Sequence, residues 1–250
     1  MSVLAAQGFE AAGVACGIKA SGAADLALVA TASRRPVPAA GVFTHNLVAA
    51  APVVVSRRHL ADGRAAGVIL NSGNANAATG EAGRVDALEM CSLTADALGC
   101  AVEDVLVCST GLIGFPLDMT PIRGGVTALA KALGTGREQA AAAAGAILTT
   151  DTVAKESVAT AHVPGGEITV GGMAKGAAML SPSMATMLAV LTTDAAVEVR
   201  ALEAALAEAV EESFNQLSVD GCRSTNDTVL VLASGEAGNE SIRLGGAGFG

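Results

Sequence analysis

Short apolar runs broken by turn residues dominate the first half of the chain, and longer stripes of helical period dominate the second. Residues 13–16, 26–31, 41–44, 53–56 and 67–71 are rich in β-branched or small apolar side chains and are bounded by Gly, Pro, Ser or Asn, which predicts strands. Between two of them, 33–38 (SRRPVP) reads as a loop. At 81–98 the period changes. Val85, Leu88, Cys91, Ala95 and Leu98 recur every three or four residues and Gly99 closes the run, so a helix is expected. A strand at 105–108 follows. Thr120 and Pro121 have the form of an N-cap and a first helical residue, opening a helix to about residue 133. An Ala-rich helix is expected over 137–148, and strands at 167–170 and 187–191. An amphipathic helix over 197–217 carries Leu202, Leu206, Val210 and Phe214 on one face, and 227–233 is a last strand. The tail from Gly235 onward has few large apolar side chains and is expected to stay loose. Strands and helices alternate irregularly, without internal repeat. The expected fold class is therefore α/β (α+β), a layered fold with mixed sheets flanked by helices rather than a regular doubly wound one.

Composition sharpens this picture. The chain is 51% hydrophobic but 2% aromatic, with no Trp or Tyr, so its core is built from Ala, Val, Leu, Ile and Met. Thirty glycines allow tight turns and close approach of elements. A net charge of −9 with 15 Lys and Arg lacks the basic stripe that a nucleic-acid surface needs. Five cysteines, an odd number with no C-x-x-C pair, argue against a disulfide or metal framework and suit a cytoplasmic protein. The start of the chain lacks a basic segment followed by a long apolar one, and the apolar runs are too short for a bilayer, so neither secretion nor a membrane is expected.

Candidate chemistry centres on Thr186, which follows the small residue Ala185 and precedes an apolar run. A Thr hydroxyl needs a base. Cutting the Ala185–Thr186 bond would provide one, an α-amine titrating at about 7.7–8.0. A buried Thr at a strand start is the plain alternative. Residues 109–114 (STGLIG) follow a strand and fit either an ordinary turn or a loop whose backbone N–H groups stabilise an oxyanion. Residues 71–80 (NSGNANAATG) fit turn chemistry or a hydrogen-bonding wall, and 149–152 (TTDT) fit a helix end or a substrate site. Lys175, set among glycines, is a surface lysine or a carboxylate binder. His45, His59 and His162 are scattered, and none is read as a metal ligand or a catalytic base.

Taken together, GVACGIKA (13–20), GVFTHN (41–46), APV (51–53), NSGNANAATG (71–80), CSTGLIG (108–114), TTDT (149–152) with Lys155, residues 172–188, TTDA (192–195) and STNDTV (224–229) occur in an order that resembles the ornithine acetyltransferase family of arginine biosynthesis, also called glutamate N-acetyltransferase or ArgJ. The resemblance runs from about residue 8 to 234. It implies a layered fold of the DmpA/ArgJ-like type and a precursor that cuts itself between Ala185 and Thr186. Residues 1–185 would form the first chain, and 186–250 would form the portion beginning at the nucleophile. Thr186 would take an acetyl group from N2-acetylornithine and pass it to glutamate by a ping-pong route. Thr110 and Gly111 would form the oxyanion hole, and Thr149, Lys175 and Thr186 would bind substrate. No cofactor or metal is implied, although some members accept acetyl-CoA as donor. The two chains would stay together as a heterotetramer or larger assembly, in the cytoplasm. A related amidohydrolase or aminopeptidase with water as acceptor, and an inactive fragment needing a partner chain, are the alternatives. Two departures stand out. Ala178 occupies a position where the family usually has Gly, and family members carry a much longer second chain. A shortened relative would expose apolar surface unless another chain covered it.

Overall fold

The structure, a computed structural model, describes residues 2–177, 187–220, 224–246 and 248–249. In chain order it forms β1 (Phe9–Val14), β2 (Leu26–Thr31), β3 (Val37–Phe43), α1 (Ala51–His59), β4 (Arg64–Ala65), β5 (Gly67–Asn74), α2 (Gly80–Leu98) and β6 (Val105–Leu112). Then come α3 (Met119–Ala132), α4 (Arg137–Ala146), β7 (Lys155–Val163), β8 (Gly166–Lys175), β9 (Leu188–Thr193), α5 (Val199–Glu212) and β10 (Thr228–Ala233).

The strands make a four-stranded sheet, β1-β2-β5-β6, and a six-stranded sheet, β4-β3-β10-β9-β8-β7. Their inner faces share one core, in which Val29, Val68, Leu70 and Leu106 join Met173, Leu188, Val190 and Leu230, together with alanines of α4. The outer face of the smaller sheet (Leu28, Ile69, Val107) is covered by Met90 and Cys91 of α2 and Ile122 and Leu129 of α3. The outer face of the larger sheet (Ala189, Val229, Val231) is covered by Leu202, Leu206 and Val210 of α5. The order is helix, sheet, sheet, helix. It follows from two parallel pairs, β5–β6 and β9–β10, each joined through a helix. Parallel neighbours need a crossover, and in each case the helix lands on the outside of its sheet. Burial on both faces is why β2 and β10 read as unbroken apolar strings.

Several local expectations are corrected. Residues 53–56 lie in helix α1, not a strand. Three consecutive valines imitate a strand, but Ser56 and His59 sit three residues apart and face the free edge of β6. The Ser56 hydroxyl accepts from Val107 N (2.8 Å) and donates to Val107 O (2.7 Å), and His59 Nδ1 lies 2.7 Å from Val105 O. The buried stripe of α2 runs through Gly83, Ala87, Met90, Cys91, Thr94, Ala95 and Leu98, whereas Val85 and Leu88 are exposed. Small residues let the neighbouring layers approach closely, so side-chain size misleads there. The N-cap of α3 is Asp118, whose carboxylate accepts from Thr120 N at 2.9 Å. Helix α5 ends at Glu212, short of residue 217. β1 starts at Phe9, earlier than expected, and β7 had no counterpart among the expected strands. The tail is tied down rather than loose, because Asn239 Oδ1 accepts from Ala196 N at 2.8 Å and Ile242 is buried and bridges to Val197. Among the described residues, no helix is long and apolar enough to cross a membrane.

Candidate active site

At the end of β6 the chain runs close against the end of β5. Gly111 has φ +136°, and a Cβ there would stand 2.2 Å from the Gly73 carbonyl carbon. Only glycine permits this approach. The pairing register shifts at the same place, between Gly73 and Asn74. Thr110, one residue earlier, is buried. Its neighbour Ser109 is pinned from the other sheet, since Asn226 Nδ2 donates to Ser109 O (2.8 Å) and to Ala75 O (2.7 Å). The polar loop 71–80 bonds partly to itself and partly to its surroundings: the Ser72 hydroxyl donates to Ala146 O at 2.5 Å, and among the described residues Asn71 Oδ1 is buried without a partner. Asn71 donates to Asn74 O, Asn74 to Phe115 O and Pro116 O, Asn76 to Gly83 O, and Thr79 to Asn76 Oδ1.

Lys175 ends β8, where its backbone is the register partner of Leu188 at the start of β9. Its side chain is 3% exposed and its Nζ donates to Thr110 Oγ1 at 2.9 Å. A hydroxyl that accepts from an ammonium keeps its own proton free to donate elsewhere. Thr110 is thus set up as a donor and Lys175 as a buried cation. Burial lowers the Lys175 ammonium below its ordinary range, while Asp151 and Asp227 pull it back up.

Thr149 reaches this neighbourhood through Asp151. That carboxylate accepts from Gly176 N (2.8 Å), Lys155 Nζ (2.6 Å) and Thr149 N (3.5 Å). Burial works to raise its pKa, but the hydrogen bonds from Lys155 and Gly176 and the Lys175 charge outweigh it, and the group stays below the usual carboxylate range. Lys19 holds the segment just before Thr149, donating to Leu148 O and Ala24 O at 2.7 Å each. Asp25 fixes the Lys19 turn by accepting from the backbone N–H of Cys16, Gly17 and Lys19.

Thr186, Ala185 and Ala178 lie outside the described residues. The first described atom after Thr186 is Met187 N, which donates to Asp227 Oδ1 at 2.9 Å. A cavity of about 370 Å³ opens beside these residues, lined by Met173, Lys175, Gly176, Met187, Leu191 and Phe214. The structure therefore gathers Thr110, Gly111, Lys175 and, through Asp151, Thr149 around the start of β9. Cys108 is not a competing nucleophile, because burial pushes its thiol up to about 12. Sequence reasoning missed Asn226 and Asp227. Their signs were membership of the family-like string STNDTV and a polar pair set directly before the apolar string of β10.

The model of the ArgJ family matches residues 10–245. A curated relative from Symbiobacterium thermophilum, the arginine biosynthesis bifunctional protein ArgJ, is 51% identical over 247 residues. That alignment takes in 99% of this chain but 61% of the relative's own length. Among solved structures, the ornithine acetyltransferase of Mycobacterium tuberculosis complexed with ornithine is 44% identical with a TM-score of 0.66, over 73% of this chain and 95% of that one. The L-aminopeptidase D-Ala-esterase/amidase of Ochrobactrum anthropi, described as a variant of the Ntn hydrolase fold, superposes with a TM-score of 0.58 over 93% of this chain and 73% of that one; at 12% identity it shares the fold alone. With the layered fold, the ordered strings and a family match spanning nearly its whole length all in agreement, the chain belongs to the ArgJ family.

Proposed function

We propose that this chain is the portion of a self-cleaving, N-terminal-threonine acetyltransferase of arginine biosynthesis that carries its nucleophile and oxyanion site. The Thr186 hydroxyl attacks the Ala185 carbonyl, the C–N bond breaks with a proton passing to nitrogen, and water hydrolyses the resulting ester. Residues 1–185 and the part beginning at Thr186 then remain packed together. The freed amine acts as base for its own hydroxyl, which takes the acetyl group of N2-acetylornithine, releases ornithine and passes the acetyl group to glutamate. Acetyl-CoA is an alternative donor, and the reaction needs no resident cofactor. Thr110 and Gly111 hold the oxyanion, Lys175 and Thr149 bind the substrate's polar groups, and the assembly is a cytoplasmic heterotetramer or larger.

The observation that carries this reading is the buried Lys175–Thr110 hydrogen bond beside the start of β9. It joins two residues far apart in sequence at the place where the chain emerges from Thr186. The M. tuberculosis comparison adds support. A chain 95% covered by 73% of this one is shorter than this one, whereas the curated relative is longer, as a divided precursor would be.

Intact mass of the purified chain beside a Thr186→Ala variant tests the reading. Two pieces from the wild type and one from the variant are expected, and one intact species from both would overturn it. Assaying N2-acetylornithine with and without glutamate then separates transfer from hydrolysis, since release of ornithine that ignores glutamate would indicate water as acceptor.

A further inference from the structure

Asp151 brings Thr149 near the site, but a neutral side chain would do that as well. Its side chain is 0% exposed and lies in the turn between α4 and β7. Oδ1 accepts from Gly176 N at 2.8 Å and from Lys155 Nζ at 2.6 Å, which ties that turn to the end of β8. An asparagine would accept the Gly176 N–H through its amide oxygen, so what the carboxylate adds is charge. A buried charge is costly unless it is matched. Lys155 matches it in part, from the start of the open edge strand, with its own side chain 45% exposed. The second cation is Lys175, the residue before Gly176. Among the described residues its Nζ bonds to a neutral hydroxyl, Thr110 Oγ1, rather than to a carboxylate. The direction of that bond depends on charge. An ammonium has three N–H donors and no acceptor, so Thr110 accepts and keeps its own proton. A lysine buried without its charge is a neutral amine with a lone pair. The Thr110 hydroxyl then turns to donate to Nζ, the better acceptor, and has no proton left to offer an oxyanion.

We propose that Asp151 is a positioning residue: it holds Lys175 as an ammonium, fixes the direction of the Lys175–Thr110 hydrogen bond and so leaves the Thr110 proton for the oxyanion, with Lys155 as the exposed counter-charge that tempers it. The oxyanion part of this inference rests on the acetyltransferase reading, whereas the coupling of Asp151 to Lys175 does not. The charged groups that face Lys175 come from four parts of the fold. Burial disfavours the ammonium most, Asp151 in the turn after α4 and Asp227 before β10 favour it, and Lys155 on β7 and Lys19 between β1 and β2 oppose it. Two substitutions therefore push Lys175 in opposite directions. Asp151→Asn (D151N) removes the attracting charge. Lys155→Met (K155M) removes a repelling charge and releases Asp151 from its ion pair. A merely structural role for Asp151 gives no such opposed pair.

The test titrates Lys175 in the full chain by NMR with 13C-labelled lysine. The sequence has four lysines, at 19, 131, 155 and 175, and Lys175→Arg assigns the signal. Relative to wild type, Lys175 should titrate about one pH unit lower in D151N and by a smaller step higher in K155M. The second readout is acetylation by 4-nitrophenyl acetate, followed by mass on the piece beginning with Thr186. Its rate should drop about 100-fold as pH rises through the Lys175 inflection, at a lower pH in D151N than in wild type. A Lys175 inflection unmoved in folded D151N, or moved the same way in both variants, overturns the proposal. Should D151N fail to fold, K155M decides, and an unmoved or lowered inflection there overturns it. If the inflection moves while the alkaline fall in acetylation stays in place, the role given to Thr110 is overturned. A wild type that is never cut or acetylated sinks the acetyltransferase reading instead, and the Lys175 titration still decides whether Asp151 holds its charge.

Discussion

The two sheets share a core but end differently. The four-stranded sheet is sealed at both margins. Its β1 edge bridges to Gly134 and packs on α4, and its β6 edge has Ser56 and His59 of α1 bonded to the backbone. The six-stranded sheet ends on β7, where every residue but Val163 is exposed. The candidate site lies in the seam. The sealed sheet carries Thr110 and Gly111 on β6, and the open one supplies Lys175 on β8, with Met187 and Asp227 directly before β9 and β10. The oxyanion donors proposed here would gain from a framework that does not move. The open margin carries little of the packing.

Breaking the sealed sheet should cost most. Gly111→Ala places a Cβ against the Gly73 backbone at a positive φ and should destabilise the protein by about 4 kcal/mol, read from the urea midpoint. Leu28→Ala, in the same sheet's fully buried outer layer, should cost about 3 kcal/mol. The staple across the seam ranks next. Asn226→Ala leaves the carbonyls of Ser109 and Ala75 without their donor and should cost about 2 kcal/mol, and acetylation should slow more than stability alone explains.

A pH series sharpens the contrast further. The native-state pKa of Asp227 is raised, so its stabilising contribution is complete below the ordinary carboxylate range and is lost as pH rises toward about 7. Asp25 and Asp151 are lowered, so theirs is present above that range and is lost as pH falls. Unfolding followed by circular dichroism should show a decline between about pH 4 and 7 that D227N removes, leaving the acid limb unchanged. On the open margin, Val158→Ala in β7 should shift stability by no more than about 0.5 kcal/mol. A cost near that of Leu28→Ala would show that β7 is covered in solution.

Much of the layered fold was legible in local pattern. β2, β5, β6, β9 and β10 lie on apolar strings bounded by turn residues, and α2 ends at Gly99 with φ +72° as its sequence signals. Helix α1 was not legible, because its valines suit a strand and its helical sign is a polar pair aimed at another strand's backbone. β7 was not legible either, since an exposed edge strand has no apolar face to reveal it. Within the site, the family-like strings marked Thr110, Gly111, Thr149 and Lys175. Asn226 and Asp227 lie in another such string, STNDTV, but drew no role, because a buried polar side chain looks like any loop residue until its neighbours are known.

By itself the sequence determined the apolar strings, the turns, the family to which the chain belongs and the pairing of Ala185 with Thr186, all of which are written in consecutive residues. The tertiary structure alone decided that Lys175 reaches Thr110, that α1 seals β6 and that Asp227 is buried against Met187. Each of these joins residues far apart along the chain, and burial, the property that turns a carboxyl or an ammonium into a reactive group, exists only once the layers have packed.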